Sequence, residues 1–339
     1  MDLCRKHGAE FVGKLTNILP YESGHNLLKD RLRTSAILIS LTVALLFLDS
    51  SFSPDGAKGI FLLPLLLFFS LGTAWDLASM LRGSCAKTAS MATGIVTLSA
   101  TIPMAWGLAG ATYPMDCPVG RLGWMVIGGV IGLFLVILLE MKRYDGPDGG
   151  TIERTFSSVF ASVYVGLPFA MMVVLRGSGT GNWGLSALLT MIAVTKSADA
   201  GAYFAGKSFG RRKLIPRLSP GKTWEGLAGG MVTSSLVGWL CLAFLFPSLG
   251  GSSPVSTPTI AALADPALGG IVLGVMLTIA GLIGDLSESM IKRVCGVKDS
   301  GNWLPGLGGV WDVTDSLIAA IIPAYLAFVA GVASAGASA

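Results

Sequence analysis

Runs of about twenty apolar residues, each long enough to cross a bilayer as a helix, recur from residue 35 to the end of the chain with short polar segments between them. They fall near residues 35–52, 59–80, 92–110, 122–140, 155–175, 183–205, 226–247, 268–290 and 312–333. The pattern predicts an all-α, polytopic membrane helix bundle with about nine transmembrane helices. Glycine pairs such as Gly128 with Gly129 and Gly229 with Gly230 sit inside these runs, where small side chains let helix backbones touch in lipid. The polar punctuation separates an N-terminal segment (residues 1–34), an N-terminal set of spans (35–180) and a C-terminal set (181–339) that holds most of the chemistry-bearing residues.

Composition agrees with that reading: mean hydropathy is +0.69, 52% of residues are hydrophobic and only 13% are charged, which excludes an ordinary soluble domain. Lys and Arg collect in alternate loops. With an odd number of spans and a cytoplasmic N-terminus, only Lys58, Arg121 and Arg176 face outward, while the clusters at 207–222 and 292–298 face the cytoplasm. The net charge of +4 therefore reads as topology and attraction to anionic lipid headgroups, and no nucleic-acid partner is expected. The charged N-terminal segment does not look like a cleaved signal. Its Phe11, Val12, Leu15, Ile18 and Leu19 suit a short helix on the cytoplasmic surface.

The five cysteines are scattered and the only histidines, His7 and His25, precede the first span. Chemistry inside the bundle must then run on carboxylates, ammonium and guanidinium groups, hydroxyls and metal ions. Three constellations supply them. In the sixth span Lys196, Asp199 and Tyr203 share a helix face; a Lys196–Asp199 pair that only tethers helices is the plain alternative. The loop from Gly206 to Gly226 offers Ser219, Lys222 and Thr223 around Pro220 and Gly221, followed by Glu225, as a phosphate clamp ahead of a helix N-terminus. Its SPGKT string lacks the glycine spacing of a nucleotide-binding P-loop, and a plain basic loop is the alternative. The third constellation runs from Gly284 to Asp315 and holds five acidic and three basic residues between two apolar spans. Asp285, Glu288, Ser289 and Lys292 fall at i, i+3, i+4 and i+7 on one helix face, and Asp312 and Asp315 repeat the i, i+3 spacing where the last span begins. Acids on two neighbouring helices form an oxygen cage suited to Mg2+, and with the adjacent bases point to phosphoryl or nucleotidyl transfer. An ion relay in a transporter uses the same residue types.

These residues resemble the signature of integral-membrane phosphatidate cytidylyltransferases, also called CDP-diacylglycerol synthases. The signature's order and spacing are met by Ser289, Lys292, Arg293, Lys298, Asp299, Pro305, Gly306, Gly308, Gly309, Asp312 and Asp315. Upstream matches are Gly284 to Ser289, the string Ser219, Pro220, Lys222, Thr223, Glu225, Gly226, and the helix bearing Asp199, Ala202 and Tyr203. The likeness is densest from about 196 to 325; before that it rests on hydropathy and on Lys29, Arg31 and Thr34. It departs at Leu307 and Val313, where the signature has His and Arg.

The resemblance implies the reaction of CTP with phosphatidate to give CDP-diacylglycerol and pyrophosphate, on the cytoplasmic side of a bacterial inner membrane. It implies Mg2+ on Asp285, Asp312 and Asp315, with room for a monovalent cation such as K+, and a homodimer. Lys292 and Arg293 join the three acids as catalytic residues, and Lys222 and Lys298 hold phosphates. Asp199, Ser219, Thr223, Glu225, Glu288, Ser289 and Asp299 complete the substrate site. A CTP-dependent transferase or kinase acting on another lipid is the nearest alternative. A secondary transporter of an anionic metabolite is disfavoured, because the polar membrane positions concentrate in the last 145 or so residues without a counterpart in the first half.

Overall fold

Each predicted span coincides with helix, though not always with one unbroken helix. The computed structural model describes residues 24–334 apart from residues 115, 145, 148, 256 and 257. The surface helix expected around residues 11–19, with Cys4 and His7, lies outside the described residues. The helices are α1 (Gly24–Phe52), α2 (Leu63–Arg82), α3 (Ala86–Ser99), α4 (Gly120–Lys142), α5 (Thr151–Arg176), α6 (Trp183–Phe209), α7 (Trp224–Leu240), α8 (Pro266–Cys295) and α9 (Trp311–Ala330). A two-stranded antiparallel hairpin, β1 (Lys213–Ile215) and β2 (Ser219–Thr223), joins α6 to α7 with Lys213 opposite Thr223. The protein is an integral membrane helix bundle, and this hairpin is a small exception to its all-α character.

Among the described residues, seven helical stretches are long and apolar enough to cross a membrane, where about nine were expected. The two that do not qualify have different causes. The expected span at 92–110 is α3, which ends at Ser99, followed by a turn and the short helix Met104–Leu108 opened by Pro103. Proline has no N–H for the helix ladder and disfavours helical backbone before it, so α3 cannot run through. Helix α6 has the length, 27 residues, but carries Lys196, Asp199 and Lys207. Helix α7 continues through a π-helical turn, Cys241–Leu245, into Phe246–Leu249.

Local sequence sets the helix ends that matter. Asp265 caps α8 by accepting from the amides of Ala267 (3.0 Å) and Leu268 (2.9 Å), Pro266 occupies the first turn, and Gly296 closes the helix in the left-handed region at φ 72°. Thr223 caps α7 by accepting from the Gly226 amide at 3.0 Å. Of the glycines foreseen as seams, Gly128, Gly229 and Gly230 are close contacts, against Ser99 Oγ, the Ala205 Cβ and the Ala198 carbonyl oxygen, while Gly129 faces open space.

Antiparallel alternation brings the α2–α3, α4–α5, α6–α7 and α8–α9 connections to one end of the bundle. Thr34 Oγ1 donates to the Pro305 carbonyl at 2.9 Å, which brings the start of α1 to that same end. Lys58, Arg121 and Arg176, the three basic residues assigned to the outer side, all fall at the opposite end. Helix α1 is otherwise thinly packed: only 6% of its apolar window is buried, and Ile37, Ile39, Val43 and Phe47 are exposed. Its far end is held by a fully buried pair, in which Arg176 Nε donates to Asp49 Oδ2 at 2.6 Å. The other Asp49 oxygen accepts from Ser53 Oγ (2.7 Å) and from the amides of Gly59 (3.0 Å) and Phe61 (3.3 Å).

Removing one partner of such a pair strands the other charge without water, which costs far more than the intact pair contributes. Arg176→Ala is expected to destabilise the bundle by about 3–5 kcal/mol, read as earlier thermal unfolding in detergent, with much of the loss recovered in the double variant Asp49→Asn/Arg176→Leu. Unfolding of Arg176→Ala coincident with the parent would contradict the assignment.

Candidate active site

Helix α8 presents Asp285, Glu288 and Lys292 toward the start of α9, which carries Asp312 in its first turn and Asp315 just beyond it. The helices meet closely because residue 284 is glycine: a Cβ there would lie 2.3 Å from the Asp315 carbonyl oxygen. Helix α6 adds Lys196 and Asp199 from the side, and the hairpin adds Lys222 at the mouth. Together they line a cavity of about 710 Å³, the size of a small-molecule site. Every lining residue comes from position 196 onward, and Ala198, Ala202, Leu227 and Leu282 give it an apolar flank.

Asp285, Glu288 and Asp315 each bring a carboxylate oxygen within 4.8 Å of the others. Lysines hold this repulsive group together. Lys222 Nζ sits 2.6 Å from Asp285 Oδ2, and Lys292 Nζ sits 2.8 Å from Asp312 Oδ1 and 3.2 Å from Glu288 Oε1. The contact to Glu288 lies outside hydrogen-bonding angles, so that buried oxygen keeps an ion-pair neighbour and no hydrogen bond. Lys196 Nζ donates to the Val313 carbonyl and to Ser316 Oγ, both at 2.9 Å, and stands 3.6 Å from Asp199. Ser316 Oγ passes the link on by donating to Asp199 Oδ2 at 3.1 Å, while the Ser316 amide donates to Asp315 Oδ1 at 2.6 Å.

The converging trio differs from the one the resemblance implies, since it holds Glu288 in place of Asp312. Asp312 is committed elsewhere: one oxygen accepts from Lys292, the other from the amides of Ser300 (3.1 Å) and Gly309 (2.7 Å). Ser289 Oγ donates weakly to Asp285 at 3.4 Å. Thr223 lines the cavity wall and caps α7. Glu225 accepts from the amides of Arg211 (3.0 Å) and Arg212 (3.2 Å) and closes the base of the hairpin. Arg293, Lys298 and Asp299 are exposed and do not line the cavity, nor does Ser219.

Five Asp or Glu side chains and five Lys side chains line the cavity, so its lining is formally neutral. A polyphosphate entering it would need an added cation to offset its charge. The donor set fits one: three hard oxygen ligands within reach of one another, including a buried carboxylate oxygen without a hydrogen bond, suit a small divalent ion such as Mg2+.

The first half of the chain does hold buried charge, which corrects the expectation that it has no such positions. Asp49, Asp76, Glu140 and Arg176 are all buried there. Glu140 pairs with Arg154 at 2.7 Å and ties α4 to α5, as Asp49 and Arg176 tie α1 to α5. None lines the cavity. Asp76 on α2 reaches the start of α9 and was missed, although a lone acid inside the apolar run of residues 63–81 is itself a signal.

A sequence profile described as the cytidylyltransferase family matches residues 29–330. A curated phosphatidate cytidylyltransferase of Haemophilus influenzae is 45% identical over 138 residues, 41% of this chain and 44% of that protein. Those of Bacillus subtilis (37% over 188 residues, 56% and 63%) and Brucella suis (39% over 198 residues, 58% and 62%) are also similar. The chain thus spans 44 to 63% of the length of these relatives.

Loss of the Glu225 carboxylate removes two charge-assisted bonds that close the hairpin. Glu225→Ala is expected to open the segment enough for trypsin to cut after Arg211 and Arg212 about tenfold faster, on the order of 1.4 kcal/mol of local stability. An unchanged cleavage rate would show that the hairpin is held by other contacts.

Proposed function

The chain belongs to the cytidylyltransferase family, and on that premise we propose that it is a phosphatidate cytidylyltransferase, joining CTP and phosphatidate to give CDP-diacylglycerol and pyrophosphate. The observation that carries this reading is the convergence of Asp285, Glu288 and Asp315 with Lys222 and Lys292 in one cavity that also has an apolar flank. Such a site suits two phosphate-bearing substrates, one of them a lipid.

In this reading a phosphatidate oxygen attacks the α-phosphorus of CTP. The bond from that phosphorus to the bridging oxygen breaks, and pyrophosphate leaves with the electron pair. The lipid phosphate is already an anion at neutral pH, so no enzyme nucleophile or general base is needed. The obstacle is repulsion between anions, and preorganised charge lowers it. Mg2+, when bound, would supply charge neutralisation for the triphosphate. Asp285, Glu288 and Asp315 are the residues placed to hold it. Lys222 and Lys292, now paired with carboxylates, are the groups to turn toward phosphates, and Lys196 adds positive charge beside Asp199.

The same reading accounts for Leu307 and Val313. With an anionic acceptor and five lysines lining the cavity, neither a histidine base nor a further guanidinium is essential to the transfer. Asp312 serves as a positioning group that orients Lys292 and the loop before α9. The basic end of the bundle faces the cytoplasm of a bacterial inner membrane, where CTP is available. The homodimer and a K+ ion beside Mg2+ belong to this proposal as well.

The test is product formation by the purified, detergent-solubilised protein from labelled CTP and phosphatidate. CDP-diacylglycerol is expected with Mg2+ and not with a chelator, and Asp315→Asn or Lys222→Ala is expected to cut the rate about 100-fold or more. Folded, CTP-binding protein that makes no CDP-lipid, or makes it equally well in chelator, would overturn the proposal.

A further inference from the structure

Helix α9 begins without a cap of its own: the residue before it is Val310, and no side chain of that residue can accept from the first-turn amides. The acceptor comes from α2. Asp76 Oδ2 accepts from the Val310 amide at 2.6 Å and from the Trp311 amide at 3.2 Å. Asp76 is 2% exposed, and no Lys or Arg pairs with it among the described residues. A buried carboxylate without a counter-ion is expensive, so donors must offset it, and these two amides at a helix N-terminus do so.

The surroundings are built around that contact. A Cβ on Gly301 would lie 2.4 Å from Asp76 Oδ1, and one on Gly309 would lie 2.6 Å from Oδ2, so the loop closes on the carboxylate only because both are glycine. The same stretch of α2 makes three more contacts to α9 and its loop. A Cβ on Gly72 would meet Val310 at 2.8 Å, Thr73 Oγ1 shares a hydrogen bond of 2.8 Å with Thr314 Oγ1, and Trp75 packs edge-on against Trp303. One turn of α2 therefore grips the loop and first turn of α9 from behind, while Asp312 in that turn and Asp315 just beyond it line the cavity.

We propose that Asp76 is a positioning residue for the reaction: a helix cap supplied by the N-terminal half of the chain that fixes where α9 starts and so where Asp312 and Asp315 stand. The proposal rests on the function given above. It assigns to the N-terminal helices a part in setting the catalytic geometry, although none of them lines the cavity.

The experiment compares the full-length parent protein with Asp76→Ala and Asp76→Asn by hydrogen exchange of the segment 300–316 and by steady-state kinetics with CTP and phosphatidate. Asparagine keeps an acceptor for the two amides and alanine does not. In Asp76→Ala the Val310 and Trp311 amides are expected to exchange at least about tenfold faster while α5 is unchanged, and kcat is expected to fall about 100-fold with a smaller change in KM for CTP. Asp76→Asn is expected to restore slow exchange and most of kcat. Unchanged exchange at 310–311 in Asp76→Ala, faster exchange throughout the bundle, local loosening without loss of kcat, or an Asp76→Asn variant as impaired as the alanine would each overturn the proposal. If the folded parent protein makes no CDP-lipid, the functional reading fails by itself, and the exchange data still decide whether Asp76 caps α9.

Discussion

Carboxylates gathered within 4.8 Å of one another repel, and most of the structure around Asp285, Glu288 and Asp315 is arranged to contain that repulsion. Lys222 and Lys292 supply counter-charge at 2.6 and 2.8 Å, to Asp285 and to Asp312 respectively. Backbone amides supply the rest, from Ser316 to Asp315 and from Ser300 and Gly309 to Asp312. The tight α8–α9 contact at Gly284 is what brings the acids together. A group held this way is poised for exchange. On the proposed function, a divalent ion on these carboxylates would take over Asp285 from Lys222 and free that lysine for a phosphate, while Asp312 keeps Lys292 oriented, so binding would replace one ion pair with another and leave no charge stranded.

The two halves of the chain divide the work. The cavity wall is drawn entirely from residue 196 onward, whereas the first half is a scaffold locked by its own buried charges. Asp49 with Arg176 and Glu140 with Arg154 are ties between helices, each made by an arginine Nε bonded to a buried carboxylate. They also explain how so exposed a helix as α1 is held, through the Asp49 pair at one end and the Thr34 bond to Pro305 at the other. Asp76 differs from these ties because its partners are amides at the start of a helix that carries two cavity acids.

How much of this was legible from residues alone depends on the kind of signal. Apolar runs located the helices, since burial in lipid leaves a period-free hydropathy mark, and the i, i+3, i+4 and i+7 spacing put Asp285, Glu288, Ser289 and Lys292 on one face of α8. Spacing fixes a shared face but not what that face meets. Hence the converging trio holds Glu288 and not Asp312: the Gly309 amide in the turn before α9 and the Ser300 amide both donate to Asp312, and no residue pattern announces that. The break after Ser99 was marked by Pro103 and outweighed by hydropathy, while the hairpin at 213–223 was hidden in a basic loop. Arg293, Lys298 and Asp299 match the family signature in order, yet they sit outside the cavity lining, where order along the chain gives no information about direction.

On the proposed function, Asp285, Glu288 and Asp315 form the cation site and Asp312 does not. Electron paramagnetic resonance of Mn2+ added to the detergent-solubilised protein tests it without reference to turnover. One bound ion per chain is predicted, with affinity lowered about tenfold or more by Asp315→Asn or Glu288→Gln and changed much less by Asp312→Asn. An affinity that falls most in Asp312→Asn, or that ignores all three substitutions, would contradict the assignment.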